Sequence, residues 1–222
     1  MATRGPRYAL TASPEEVQAL FGYREEVDFP PRYKIAPPQP IAVVNRFAGE
    51  RHLTLMRWGF VPAWVKDPST ISLLASARAE TLGKRPAFAA AYRYRRCLMP
   101  ASGFYLWQHR RGGENQAFFV SAASPGPIAL AGLWETWGGA DGSEIDTACL
   151  LTIGADPAIA PISARTPVVI APADFEEWLG SSDSVEALLR PPGADLYSAQ
   201  PVSALVDSVR NDGAGPVNPV KT

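Results

Sequence analysis

Apolar and polar positions along this chain change pattern every ten residues or so, and no single period runs through it. Near the start the period is helical, with Val17, Leu20 and Phe21 on one face behind Ser13-Pro14-Glu15-Glu16. Ser13 suits the N-cap, Pro14 the first helical position and Glu16 the acid of a capping box. The stretches 41–47 and 53–61 are rich in β-branched and other apolar residues with partial alternation, and both predict strands. Residues 86–96 predict a helix ending in Arg93, Arg95 and Arg96. Further strands are expected at 97–107, 117–122, 128–137, 148–154 and 167–171, separated by Gly, Pro and Ser clusters. Short helices fit 173–180 and 184–190, the second capped by Ser182 or Asp183 and stopped by Pro191. Gly112-Gly113 and the run Gly138–Gly142 mark turns between strands.

Strands with helices interspersed irregularly do not build βαβ units. The expectation is one α+β domain over residues 1–222, with a curved, partly barrel-like mixed β-sheet surrounded by short helices. A length of 222 residues with 46% hydrophobic and 19% charged positions suits one such domain. The 22 prolines are spread over the whole length, which argues against a single linker. No apolar run approaches the ~20 residues of a membrane helix, and Met1-Ala2-Thr3-Arg4-Gly5-Pro6 has no signal-peptide core. A soluble, cytoplasmic protein is expected. Cys97 and Cys149 each sit in an apolar stretch, which predicts buried free thiols. With His52 and His109 as the two histidines, a metal site is poorly supplied, and neither metal nor cofactor is expected.

The net charge is −1, but its distribution changes the picture. Residues 1–119 carry 17 Lys and Arg against 9 Asp and Glu, whereas residues 120–222 carry 4 against 13. Either a basic binding face exists on a neutral molecule, or the halves neutralise each other across one fold.

Nine strings carry a family resemblance. They are Arg7-Tyr8-Ala9-Leu10, Arg32 to Pro37, Trp58 to Trp64, Ser76 to Thr81 and Arg96 to Pro100 in the first part of the chain. Gly103 to Trp107, Ala131 to Glu135, Arg165-Thr166-Pro167, and Pro201-Val202-Ser203 with Asn211-Asp212-Gly213 follow in order. Together they resemble the SRAP family, the SOS-response-associated peptidases or abasic-site processing proteins. The resemblance implies an N-terminal cysteine whose amine and thiol trap the aldehyde of an abasic site in single-stranded DNA as a thiazolidine, with Asn, Glu and His moving protons.

At those positions this chain departs from the family. The family's Met-Cys-Gly-Arg-Tyr opening aligns with Arg4-Gly5-Pro6-Arg7-Tyr8, so Gly5 stands where the cysteine belongs. The Asn of Arg-Tyr-Asn is Lys34, the Glu of Gly-Phe-Tyr-Glu-Trp is Leu106, and the His of Ile-His-x-Arg-x-Pro is Ser163. The Asn of Asn-Ala-Arg is Ser76. Glycine has no nucleophile, leucine carries no proton, and serine does not replace an imidazole at neutral pH. The resemblance therefore implies a DNA-binding protein without the covalent reaction. Arg7, Arg78 and Arg165 match family positions that contact phosphate or sugar, and Pro37, Trp64 and Ser76 complete the expected DNA-facing set. These side chains are expected on one concave face.

Blander readings stand beside these. Trp58, Trp107 and Trp134 read as core, Arg78 as a partner of Glu80 or Glu135, and Lys84-Arg85 and Arg110-Arg111 as solvated loop charge. Two other functions remain open: residual Schiff-base chemistry through Lys34 or the N-terminal amine, and a protein-interaction module using the acidic second half with Trp178.

Overall fold

The computed structural model describes residues 5–110, 115–180, 185–191, 197–203 and 206. The first half contains β1 (Tyr8–Leu10), α1 (Pro14–Phe21), β2 (Arg32–Ile35), β3 (Pro40–Phe47), β4 (Glu50–Trp58), β5 (Ser76–Arg78), α2 (Pro86–Tyr94), β6 (Arg96–Ala101) and β7 (Gly103–Gln108). There follow β8 (Gln116–Ala122), β9 (Ile128–Gly138), β10 (Glu144–Gly154), β11 (Arg165–Pro167), β12 (Val169–Ile170), α3 (Phe175–Leu179) and β13 (Tyr197–Val202).

Five strands close on themselves in the order β10, β4, β3, β6, β9 and back to β10. Only the β10–β4 contact in this ring is parallel, which makes the barrel mixed. A second, open sheet runs β13-β8-β7-β1-β2 and is antiparallel throughout. The expected α+β class with a barrel-like mixed sheet and short helices is the observed fold.

Burial explains which strands were easy to read. β6 is buried at every position and β9 over its first six, so both faces are covered and the sequence runs apolar without alternation. Gly132 of β9 has no room for a side chain, since a Cβ would lie 2.9 Å from Cys97 Sγ and 3.1 Å from the Cys149 carbonyl oxygen. Cys97 and Cys149 are buried and free, and burial pushes both thiols up, that of Cys149 to about 12.

The capping box at α1 is present, with Ser13 Oγ accepting from the Glu16 N–H and Glu16 accepting from the Ser13 N–H. Gly22 then ends the helix at φ 65°, the left-handed conformation that glycine reaches without strain. Arg96, which the sequence places at the end of a helix, instead opens β6 and is 5% exposed. Its guanidinium donates to the carbonyls of Tyr92, Arg93, Trp178 and Gly180, tying the C-terminal ends of α2 and α3 together.

Several boundaries differ from the sequence pattern. The segment 97–107 is two strands broken at Ser102, whose Oγ accepts the N–H groups of Thr11 and Ala12. β6 joins the barrel and β7 the open sheet, so one apolar run serves two layers. The segment 167–171 is likewise divided between β11 and β12, which pair with β10 and β9. Over 184–190 the described residues form one 3-10 turn, Glu186–Leu188, instead of a helix, while Ser182 and Asp183 lie outside the described residues. Gly138–Gly142 forms the β9–β10 hairpin turn, with Gly142 at φ 83°, whereas Gly112-Gly113, Arg111 and Asn211-Asp212-Gly213 lie outside the described residues.

Candidate functional site

β10 carries β5 along one part of its length and β11 along another. β5 runs parallel to it, with Ser76 opposite Leu150 and Arg78 opposite Thr152. β11 is antiparallel, with Arg165 opposite Gly154 and Pro167 opposite Thr152. Side chains alternate along a strand, so buried Ala77 leaves Ser76 and Arg78 exposed together. Facing this three-stranded patch are Leu106 and Trp107 of β7 and Arg7 just before β1.

The two faces enclose a cavity of about 870 Å³, which Arg7, Ser76, Arg78 and Arg165 all line. A smaller cavity of about 330 Å³ adjoins it, sharing Gly5, Arg7 and Ser76 and adding Pro37 and Leu73. Five of the six DNA-facing residues expected from sequence therefore line one continuous depression. Trp64 is the exception. It is 68% exposed and lines neither cavity, because its segment packs through Val61 and Val65 against Trp137 and leaves the intervening indole outside.

The arginines differ in how they are held. Arg165 donates to both oxygens of Glu80, at 3.0 and 2.8 Å, and also to Thr152 O at 2.6 Å and Thr152 Oγ1 at 3.3 Å. Glu80 takes a further hydrogen bond from the Gly154 N–H at 3.1 Å. The Arg165 hydrogen bonds, against a smaller effect of burial, hold the Glu80 carboxyl down at about 2. Arg78 pairs with neither expected partner: Glu80 is engaged by Arg165 and Glu135 by Arg95 at 2.6 Å. Among the described residues the Arg78 side chain makes no ion pair. The Arg7 guanidinium lies 5.3 Å from the centroid of the Trp107 ring, close enough for a cation–π contact.

Three of the four degenerate positions line the cavity, namely Gly5, Leu106 and Ser163. The Ser163 hydroxyl donates to Arg165 O at 2.8 Å and accepts the Arg165 N–H at 3.3 Å, a local turn that occupies it with backbone. Lys34 is 2% exposed on β2, takes part in an interaction of its own and lines neither cavity. Trp58 is fully buried, as expected, and Trp134 packs half-buried against the core.

Trp107, read from sequence as core, is half-buried on the cavity wall. Arg85, read as loop charge, also lines the cavity, with its guanidinium 5.4 Å from the Phe88 ring centroid. His109 stands near the end of β7, its Nδ1 3.2 Å from Asn115 Oδ1. Period-two spacing could have linked Trp107 to Tyr105, but nothing local marks Arg85 or His109 as cavity-lining, and Glu80 meets Arg165 only through tertiary pairing. Among the described residues no group of His, Cys, Asp or Glu converges to hold a metal ion, and no helix is long and apolar enough to cross a membrane.

A family model described as SOS response associated peptidase, SRAP, matches residues 5–209. The chain belongs to the SRAP family. It is 31% identical over 213 residues to abasic site processing protein YoqW of Bacillus subtilis, covering 93% of this chain and 95% of that protein. Identity to abasic site processing protein YedK of Escherichia coli is 29% over 225 residues, with 96% and 99% covered. A solved structure of a protein from Bacteroides thetaiotaomicron superposes with a TM-score of 0.86 over 97% of this chain and 99% of that one, at 20% identity. The fold of this SRAP protein is thus shared with a solved structure at 20% identity.

Proposed function

We propose that this SRAP protein holds single-stranded or abasic DNA in the cavity of about 870 Å³ without forming a covalent crosslink to it. The observation that carries this reading is one wall composition. Arg7, Arg78 and Arg165 line the same cavity as Gly5, Leu106 and Ser163, so cationic groups remain where thiol, carboxylate and imidazole do not. The names of the relatives, abasic site processing proteins, supply the substrate class.

Thiazolidine formation needs an α-amine and a thiol on one residue, adding to the aldehyde carbon with loss of water. Gly5 offers no thiol, and neither cysteine of the chain is exposed. An imine through Lys34 would require a buried side chain to reach a sugar in a cavity it does not line. The interaction-module reading loses its aromatic anchor, because Trp178 is fully buried with its Nε1–H donated to Cys97 O at 2.8 Å.

Incubation with a fluorescent abasic single strand, followed by heating in denaturant, is expected to give free oligonucleotide and no adduct. The same protein should bind intact and abasic strands with similar, salt-sensitive affinity. A heat-stable adduct would overturn the non-covalent reading, and loss of salt-sensitive binding would overturn the DNA-binding one.

A further inference from the structure

We infer that Glu80 limits the anion load of the cavity: it fills the guanidinium fork of Arg165, which leaves Arg78 as the open phosphate contact on the β5–β10–β11 wall. This rests on the DNA-binding reading above and goes beyond it, because Glu80 itself does not line the cavity. A guanidinium has five N–H donors in a fixed plane. In Arg165 four are committed, two to the Glu80 carboxylate and two to Thr152 O and Oγ1. A phosphate approaching Arg165 meets one remaining donor on a cation already neutralised by a carboxylate. Bidentate capture of a phosphate, which is the usual strength of arginine, is closed.

Two features separate this role from simple support. Thr152 anchors Arg165 through Nε and Nη2 independently of Glu80, so the guanidinium stays at the wall when the carboxylate is removed. The Gly154 N–H anchors Glu80 independently of Arg165, so the negative charge stays when the arginine is removed. Each partner therefore exposes the other, and the two single substitutions have opposite signs. The Glu80 carboxyl is held near 2, so the neutralisation persists over the whole working pH range.

The test measures binding of a fluorescein-labelled single-stranded oligonucleotide by anisotropy over a salt series, with thermal unfolding of each variant as a folding control. Glu80→Gln is expected to bind about three- to tenfold more tightly at low salt, with a salt dependence steeper by about one phosphate contact. Arg165→Gln should bind more weakly than the parent, because it leaves the Glu80 charge uncompensated. The double variant should return to within about twofold of the parent, since it removes one cation and one anion together. Glu80→Asp keeps the charge and should not gain affinity.

Weaker or unchanged binding by Glu80→Gln would overturn the inference and make Glu80 a mere support for Arg165, while parent binding would still uphold the DNA reading. If neither parent nor Glu80→Gln shows salt-dependent binding, the DNA reading itself falls and takes this inference with it.

Discussion

Two sets of arginines on this molecule, drawn from the basic first half except for Arg165, do different work. On the α3 side, Arg46 and Arg51 both pair with Glu176, and Arg96 closes four carbonyls at the ends of two helices. There the charge is matched within the protein and the yield is architecture. At the cavity, Arg78 is exposed with no ion pair among the described residues, and Arg165 is matched by Glu80. The lesson is that a charge excess of one sequence half is partly absorbed by the other half, as with Arg46 and Glu176, and partly left to solvent, at Arg78 among other places. Composition registers the sum and not the division.

Three substitutions would break or sharpen that contrast. The largest effect is expected at Arg96→Met, which strands four carbonyls that now share one cation; a loss of about 3 kcal/mol follows. This corresponds to a fall of roughly 6–12 °C in Tm for a chain of this size, read by calorimetry. The DNA salt dependence of the folded variant should be unchanged. Next comes Arg78→Glu, expected to weaken oligonucleotide binding about tenfold or more and to remove about one phosphate from the salt slope. Its stability should stay within about 0.5 kcal/mol of the parent, because no partner is lost. If Arg78→Glu unfolds the protein or Arg96→Met flattens the salt slope, the division between the two sets is wrong.

The smallest effect is expected at Glu176→Gln. Glu176 is 65% exposed, and exposed pairs contribute about 0.2–1 kcal/mol each at most. Hydrogen bonding from Arg51 holds its carboxyl below the ordinary value, with the Coulomb attraction of Arg51 and Arg46 adding to it and burial opposing. A depressed folded pKa gives stability that is complete above the ordinary carboxylate range and is lost as pH falls through the depressed value. The Tm difference between parent and variant should accordingly be present at neutral pH and vanish in acid.

Local chemistry was the legible part of the fold. The capping box at Ser13, the Gly138–Gly142 turn and the unbroken apolar runs of β6 and β9 are each written in a few neighbouring residues. What the pattern could not divide was the run 97–107, because a strand that leaves one layer for another at Ser102 stays apolar on both sides of the break. Arg95 does cap the helix, but Arg96 looked like part of the same helix end for a similar reason: a C-terminal cation and a buried carbonyl clamp have the same signature in one dimension. At the site, the family strings singled out Arg7, Ser76, Arg78, Pro37 and Arg165, and the two adjoining cavities gather them. Trp64 lies outside both cavities: a motif match gives a position in the chain and not the direction in which an indole points. Glu80 was seen only as a possible partner of Arg78. Its pairing with Arg165 depends on β11 returning along β10, a contact made 85 residues later.

One strand carries a further consequence. β10 is shared among β9, β4, β5 and β11, so the short strands that bear Arg78 and Arg165 are docked on a stave of the closed barrel. β10 itself cannot hinge or slide without opening the ring. The facing wall, on β7 and the segment before β1, belongs to a sheet with free edges at β2 and β13. On the proposed DNA-binding reading, recognition would be mechanically one-sided: a strand anchored by the barrel presents Arg78, the opposite jaw does any accommodating, and little ordering entropy is lost at the anchored side on association.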